Sequence, residues 1–251
     1  MARPRYPKHT GPTPPPLPPS VRTIGQLVAE TLRLYGRRFV PGLALGLPVA
    51  LLNQVYLTRV DPAEVADQVG RATTPDVWFL VLLYLAAAPV FSLAYAAASQ
   101  IAAVASPPAA RAWATAVAVG TITFLPAAFL LPTAFFFAVA WLALVGLVVP
   151  VCLLEGRGAL QGVRRAVELG RADYVHALAS LATLTLVYWL TRNALVFLLR
   201  EQAENTIRTA AFLGDLVLSP VLFLGAALLY ADQAARVGTT RAERDAMRRA
   251  G

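Results

Sequence analysis

The chain has 251 residues, of which 57% are hydrophobic and 14% charged, and a net charge of +8. Soluble domains carry roughly 45–50% apolar and about 25% charged residues, so a water-soluble globule is excluded: its surface could not hide this much apolar area. The basic excess is arginine, 21 residues against the single Lys8, set in short segments between apolar runs. That distribution marks membrane orientation and argues against a nucleic-acid partner, whose site would gather its cations on one polar domain.

In chain order, the first 20 residues hold eight prolines and no apolar targeting core. Residues 1–21 therefore read as a disordered, partly polyproline-II cytoplasmic tail, stiffest at Pro14–Pro19. Next, Ile24, Leu27, Val28, Leu32, Tyr35 and Phe39 fall at helical spacing on one face, with Gln26, Glu30, Arg33 and Arg37 opposite. Thr23 and Gln26 have capping-box spacing. The pattern predicts a helix lying in the membrane interface, its arginines (Arg33, Arg37, Arg38) on lipid phosphates and its apolar face against acyl chains or the bundle.

Six apolar stretches follow, each long enough to cross a hydrocarbon layer of about 30 Å. The first two run from Phe39 to Leu57 and from Val77 to Ala105. Trp113–Leu154 is about twice the needed length and is divided into a hairpin near Leu131-Pro132-Thr133, because proline interrupts a helix. The last two cover Ala177–Leu199 and Thr209–Ala231. A second amphipathic segment precedes the fifth span, with Leu160, Val163, Val167, Gly170 and Tyr174 on one face and Gln161, Arg164, Arg165, Glu168 and Arg171 on the other. Arg164, Arg165 and Arg171 are read as interfacial anchors, with Glu168 at pairing distance of Arg164 and Arg171. Glu155 is read as fixing the Gly156-Arg157-Gly158 turn by pairing with Arg157, Arg164 or Arg165. A weaker third amphipathic version spans Pro108–Val117, so the chain also parses as three units of in-plane helix plus hairpin.

The fold expected is thus all-α: a polytopic membrane bundle of six transmembrane helices with two or three in-plane amphipathic helices. The domain is 22–236, followed by an Arg-rich cytoplasmic tail at 237–251. Of the 22 basic residues, 17 lie on the side that holds both termini. The positive-inside rule then puts both termini in the cytoplasm of a bacterial plasma (inner) membrane; the Arg- and Ala-rich composition suggests a GC-rich bacterial genome.

Thr23-Ile24-Gly25-Gln26-Leu27, the Thr31–Phe39 stretch, Val149–Gly156 leading into Ala166–Arg171, and Leu228-Leu229-Tyr230-Ala231-Asp232 together resemble bacterial YciC-like proteins. They are equally similar to the membrane domain associated with some glycerophosphoryl diester phosphodiesterases. The resemblance spans residues 21–236 and implies a six-helix membrane module. It implies no phosphodiesterase activity, which in those enzymes belongs to a separate soluble barrel.

Ionisable residues inside the spans are the most pointed functional signal. Arg192 and Asp215 sit about 10–12 Å inside the facing ends of the last two spans, at a depth where they can pair, with Asn193 beside them. Either alone costs about 2.5–3.5 kcal/mol on insertion scales. Asn53 and Gln54 are placed to bond across helices, and Gly42 and Gly46 make a close-packing GxxxG. Cys152 reads as a small apolar filler near a helix end; as a single cysteine it excludes an intrachain disulfide and has no metal-ligand spacing. His9 and His176 have no positioned carboxylate, cysteine or second histidine near them in sequence, so no catalytic group, metal or cofactor is expected. Two functions lead, ahead of a lipid-modifying enzyme. One is a non-catalytic module that organises membrane lipids or holds another membrane or cytoplasmic protein. The other is a small-solute or lipid permease built around Arg192 and Asp215.

Overall fold

The computed structural model describes residues 21–59, 77–103, 108–130, 134–199 and 201–250, with backbone alone for Val77 and 239–250. Among these residues the chain is helical throughout, without strands. In chain order the helices are α1 (Ile24–Arg37), α2 (Phe39–Leu57), α3 (Val77–Ala103), α4 (Ala110–Leu130), α5 (Phe135–Val145), α6 (Val148–Leu154), α7 (Ala159–Ala172), α8 (Tyr174–Leu198) and α9 (Glu204–Ala250).

Six segments are long and apolar enough to cross a membrane: α2, Trp78–Ala103 of α3, α4, Phe135–Leu154 (α5 and α6 together), α8, and Glu204–Gly238 of α9. Hydrocarbon offers backbone groups no partner, so each crossing closes its hydrogen bonds within its own helix. Pro48, Pro89, Pro126 and Pro220 sit inside α2, α3, α4 and α9, positions that remove a helix hydrogen bond and favour a bend. The expected division of Trp113–Leu154 is present, with α4 ending at Leu130 and α5 starting at Phe135. The turn at 131–133, the tail at 1–20 and the end of the second predicted span (Val104 and Ala105) lie outside the described residues.

The centre of the bundle is α9, packed against α2, α3 and α8 in its span and against α1 and α7 nearer its C-terminal part. Of their most apolar windows, 61% of the α9 span and 67% of the fourth span are buried, against 11% for α8. The fifth crossing is therefore peripheral, and the fourth and sixth form the core. Val148 to Leu153 are all buried, and Cys152 is among them, its sulfur against Gly162. Close approach rests on glycine. At Gly46, a Cβ would overlap the Leu216 carbonyl oxygen of α9, so the GxxxG face brings two helices of the same chain together. Gly42 receives the Tyr35 ring of α1.

One expectation is corrected, and the buried sides of two helices are defined. The helix before the first span forms with its full Thr23–Gln26 capping box, but it buries Leu27, Thr31 and Tyr35, while Leu32 and Phe39 point outward. In the second amphipathic helix, α7, the buried side is Gly162, Ala166, Leu169 and Gly170; Leu160 and Val163 are exposed. Gly162 lies at Cys152 and Gly170 at the Ala143 and Leu144 carbonyls, so α7 runs back along the fourth span, opposite in direction. Small residues, not the bulky stripe, make that contact, because they let backbones approach closely. The third amphipathic helix does not exist as a separate element: Ala110–Leu130 is one helix. The helix of the last crossing, α9, runs on through the Arg-rich segment to Ala250.

Candidate functional site

Asp215 is completely buried on α9. Its carboxylate is met from two other helices. From α8, Tyr188 Oη donates to Oδ1 at 2.6 Å and Arg192 Nε to the same oxygen at 3.0 Å. From α2, Asn53 Nδ2 donates to Oδ2 at 2.6 Å. One turn along α9, Ser219 Oγ donates to the Asp215 backbone carbonyl at 2.6 Å. Helical spacing explains the α8 donors: Tyr188 and Arg192 are four residues apart and share a face. The arrangement ties α2, α8 and α9 together with three donors on one carboxylate, which offsets the desolvation of the anion. Gln54 adds a bond to the Arg208 carbonyl at 2.9 Å.

Sequence reasoning placed Arg192 and Asp215 at one depth, and the structure brings them into contact. Asn193 is part-buried, and its amide donates to the Trp189 carbonyl of its own helix, not to Asp215. Tyr188 was missed. Its signal was available in its i−4 position relative to Arg192, but a tyrosine in an apolar run looks like packing.

A second polar assembly was also missed. Asp232, Gln233 and Arg22 are buried on the α9 and α1 sides of one cluster. Asp232 accepts from the Arg22 backbone N–H at 2.6 Å and from Arg236 Nε at 3.0 Å, and His176 Nε2 lies 3.1 Å from its Oδ2. Arg236 also reaches Asp173 at 2.8 Å and the Arg22 carbonyl at 2.9 Å. Asp173 caps α8 by accepting from the His176 N–H, and Arg22 pairs with Glu30. His176 thus has a carboxylate neighbour that is 56 positions away in sequence, a distance that spacing rules do not see. The cluster joins the start of the membrane domain to the end of its last crossing.

A third assembly centres on Glu155. It accepts from Arg157 at 2.6 Å, from Arg165 at 3.4 Å and from Tyr230 Oη at 3.1 Å. Gly156, at φ 64°, takes the left-handed turn that carries the chain from α6 into α7. Burial alone lowers the pKa of Arg165, but the hydrogen bond to Glu168 and the charges of Glu155 and Glu168 outweigh it, and the guanidinium is held above its ordinary range. Glu168 pairs with Arg165 at 2.9 Å, a partner the sequence reading had not chosen for it. The remaining proposed anchors, Arg33, Arg37, Arg38, Arg164 and Arg171, are exposed.

Between the Asp215 and Asp232 assemblies lies a partly open apolar cavity of about 240 Å³, walled by residues of all six crossings, among them Val49, Phe91, Phe124, Leu142, Leu184 and Phe223. Enclosed and empty, such a void would cost on the order of 6 kcal/mol, at about 24 cal/mol per Å³. Among the described residues, no group of three or more His, Cys, Asp or Glu is placed to hold a metal ion.

These features define an all-α, multi-pass integral membrane protein whose helices are clamped by buried polar groups around an apolar cavity. Compared with known proteins, the chain matches no family model, no curated protein and no solved structure.

Proposed function

We propose that this chain is a non-catalytic module of the bacterial plasma membrane, with both termini cytoplasmic, that organises lipid or holds a protein partner. The observation that carries the reading is the state of Asp215: buried, and engaged by Asn53, Tyr188 and Arg192 at once. A carboxylate so occupied is suited to holding three helices together. The YciC-like resemblance fits the same reading, since it implies a six-helix module. The exposed Arg33, Arg37, Arg38, Arg164 and Arg171 are the anchors for anionic headgroups.

The permease reading is favoured by one observation, that Tyr188 and Ser219 both line the cavity and both bond Asp215. Purification in native-lipid nanodiscs, with mass spectrometry of co-purifying proteins and lipids, separates the two. A stoichiometric protein partner, lost on deleting residues 1–20 or 239–251, is expected for the module. A solute retained by the wild type and lost in Asp215→Asn, with no partner present, would overturn it in favour of transport.

A further inference from the structure

The cavity has properties that name its occupant. Four lining side chains carry hydroxyls, and each is turned to a protein acceptor: Tyr95 to the Ala226 carbonyl at 3.1 Å, Thr185 to Leu181 at 2.8 Å, Tyr188 to Asp215 and Ser219 to the Asp215 carbonyl, both at 2.6 Å. No charged side chain lines it. A water molecule needs two to four polar partners to be held in a cavity, and these walls have no uncommitted donor to give it. A polar solute is disfavoured for the same reason.

The position of the cavity is equally telling. It lies within the crossings, against the middle of α9, where Leu222, Phe223 and Ala226 remain only part-buried in the most central helix of the bundle. One of its walls is α8, the peripheral crossing. That helix is held to α9 by the Asp215 assembly at one end and the Asp232 assembly at the other, about 26 Å apart along α9 at 1.5 Å per residue. Between them the two helices touch where Leu184 packs on Gly225. The charged groups that hold the wall in place, Asp215, Arg192, Asp232 and Arg236, do not line the apolar space; Tyr188 and Ser219 border it with their hydroxyls turned to Asp215.

We propose that this cavity is a binding site for one acyl chain of a membrane phospholipid. The inference rests on the reading of the chain as a lipid-engaging module and names the part of the lipid that it takes. Hydrocarbon is the surrounding medium at this depth, and the walls match it chemically. An apolar cavity of about 150 Å³ admits a benzene molecule, so 240 Å³ holds a chain segment of roughly ten carbons and has no room for a headgroup. The headgroup stays at the membrane surface.

The test uses the full chain in nanodiscs of phosphatidylcholine and phosphatidylglycerol, doped with a phosphatidylcholine bearing a diazirine midway along one acyl chain. Irradiation and peptide mass spectrometry then map the adducts. Adducts are expected on Leu142, Leu222 and Phe223, and on the outward-facing Trp189 and Leu190, which report ordinary lipid contact. Leu222→Trp fills the space; losing room for about two methylenes lowers occupancy roughly ten-fold, so adducts at Leu142 and Phe223 fall by that factor. Ala226→Leu gives a smaller drop at the same two positions. Labelling at Trp189 and Leu190 stays constant in both variants, which shows that each is folded and in the bilayer. Wild-type labelling confined to Trp189 and Leu190, or cavity labelling unchanged in both variants, would overturn the proposal. So would labelling of the cavity by a diazirine fatty acid and not by the phospholipid. None of these failures touches the module reading, which stands or falls on its protein partner.

Discussion

At the scale of single residues, the buried carboxylate of Asp215 sets the energetics. Arg192 keeps part of its side chain accessible, 19%, whereas Asp215 has none. The two deletions are therefore unequal. Arg192→Leu leaves an anion in the core with only Asn53 and Tyr188, while Asp215→Leu leaves a cation that can extend toward the surface. Arg192→Leu is expected to lower stability by about 2–3 kcal/mol, and Asp215→Leu by less. The double variant should lose less than the sum, with a coupling of about 1 kcal/mol or more. Reversible unfolding in mixed micelles measures all three; strict additivity would mean that the contact contributes nothing. Charge in an apolar run and matching depth made this pair readable from sequence. Asn53 was readable only as a residue seeking a partner across helices, because its contact bridges 162 positions.

At the scale of elements, small residues decide how near helices come. Gly46→Ala places a methyl group on the Leu216 carbonyl and must push α2 from α9. Its expected cost is about 1–3 kcal/mol, typical of forced overpacking. Gly36→Ala in α1 is the control, with open space around the new methyl. It should stabilise by about 0.4–1 kcal/mol by restricting the unfolded chain. The same thermal or denaturant unfolding assay reads both, and equal signs would show that packing at Gly46 is looser than described. The second polar assembly also acts at this scale. Asp232→Ala removes the acceptor shared by Arg22, His176 and Arg236. Hydrogen exchange should then rise in the first turns of α8, which Asp173 and Asp232 hold, and stay unchanged near Tyr188. Uniform exchange along α8 would argue that the two clamps do not act separately.

At the scale of the whole molecule, orientation is the property with the clearest test. Cys152 is buried and the chain has no other cysteine, so Cys152→Ala gives a background for single-cysteine labelling. Arg59→Cys and Ala159→Cys, at exposed positions at opposite ends of the bundle, are then informative. A membrane-impermeant thiol reagent applied to intact spheroplasts should label residue 59 and spare residue 159, with the reverse in inverted vesicles. The opposite pattern would invert the topology and place the arginine-rich segments outside.

The sequence alone determined the class, the number of crossings and most of their limits. The reason is physical: hydrocarbon thickness fixes the length of a crossing, and the absence of water inside it fixes the composition. Which face of each helix meets protein was decided only by the tertiary structure. In water an apolar stripe points to the core, but in lipid an apolar side chain is equally at home on the outside. The bulky faces of α1 and α7 therefore do not by themselves mark the protein contacts, and glycine and alanine contacts bring the helices close. The partners of Asp215 and Asp232 and the cavity between them likewise arise from helices far apart in the chain, and no local period encodes such a meeting.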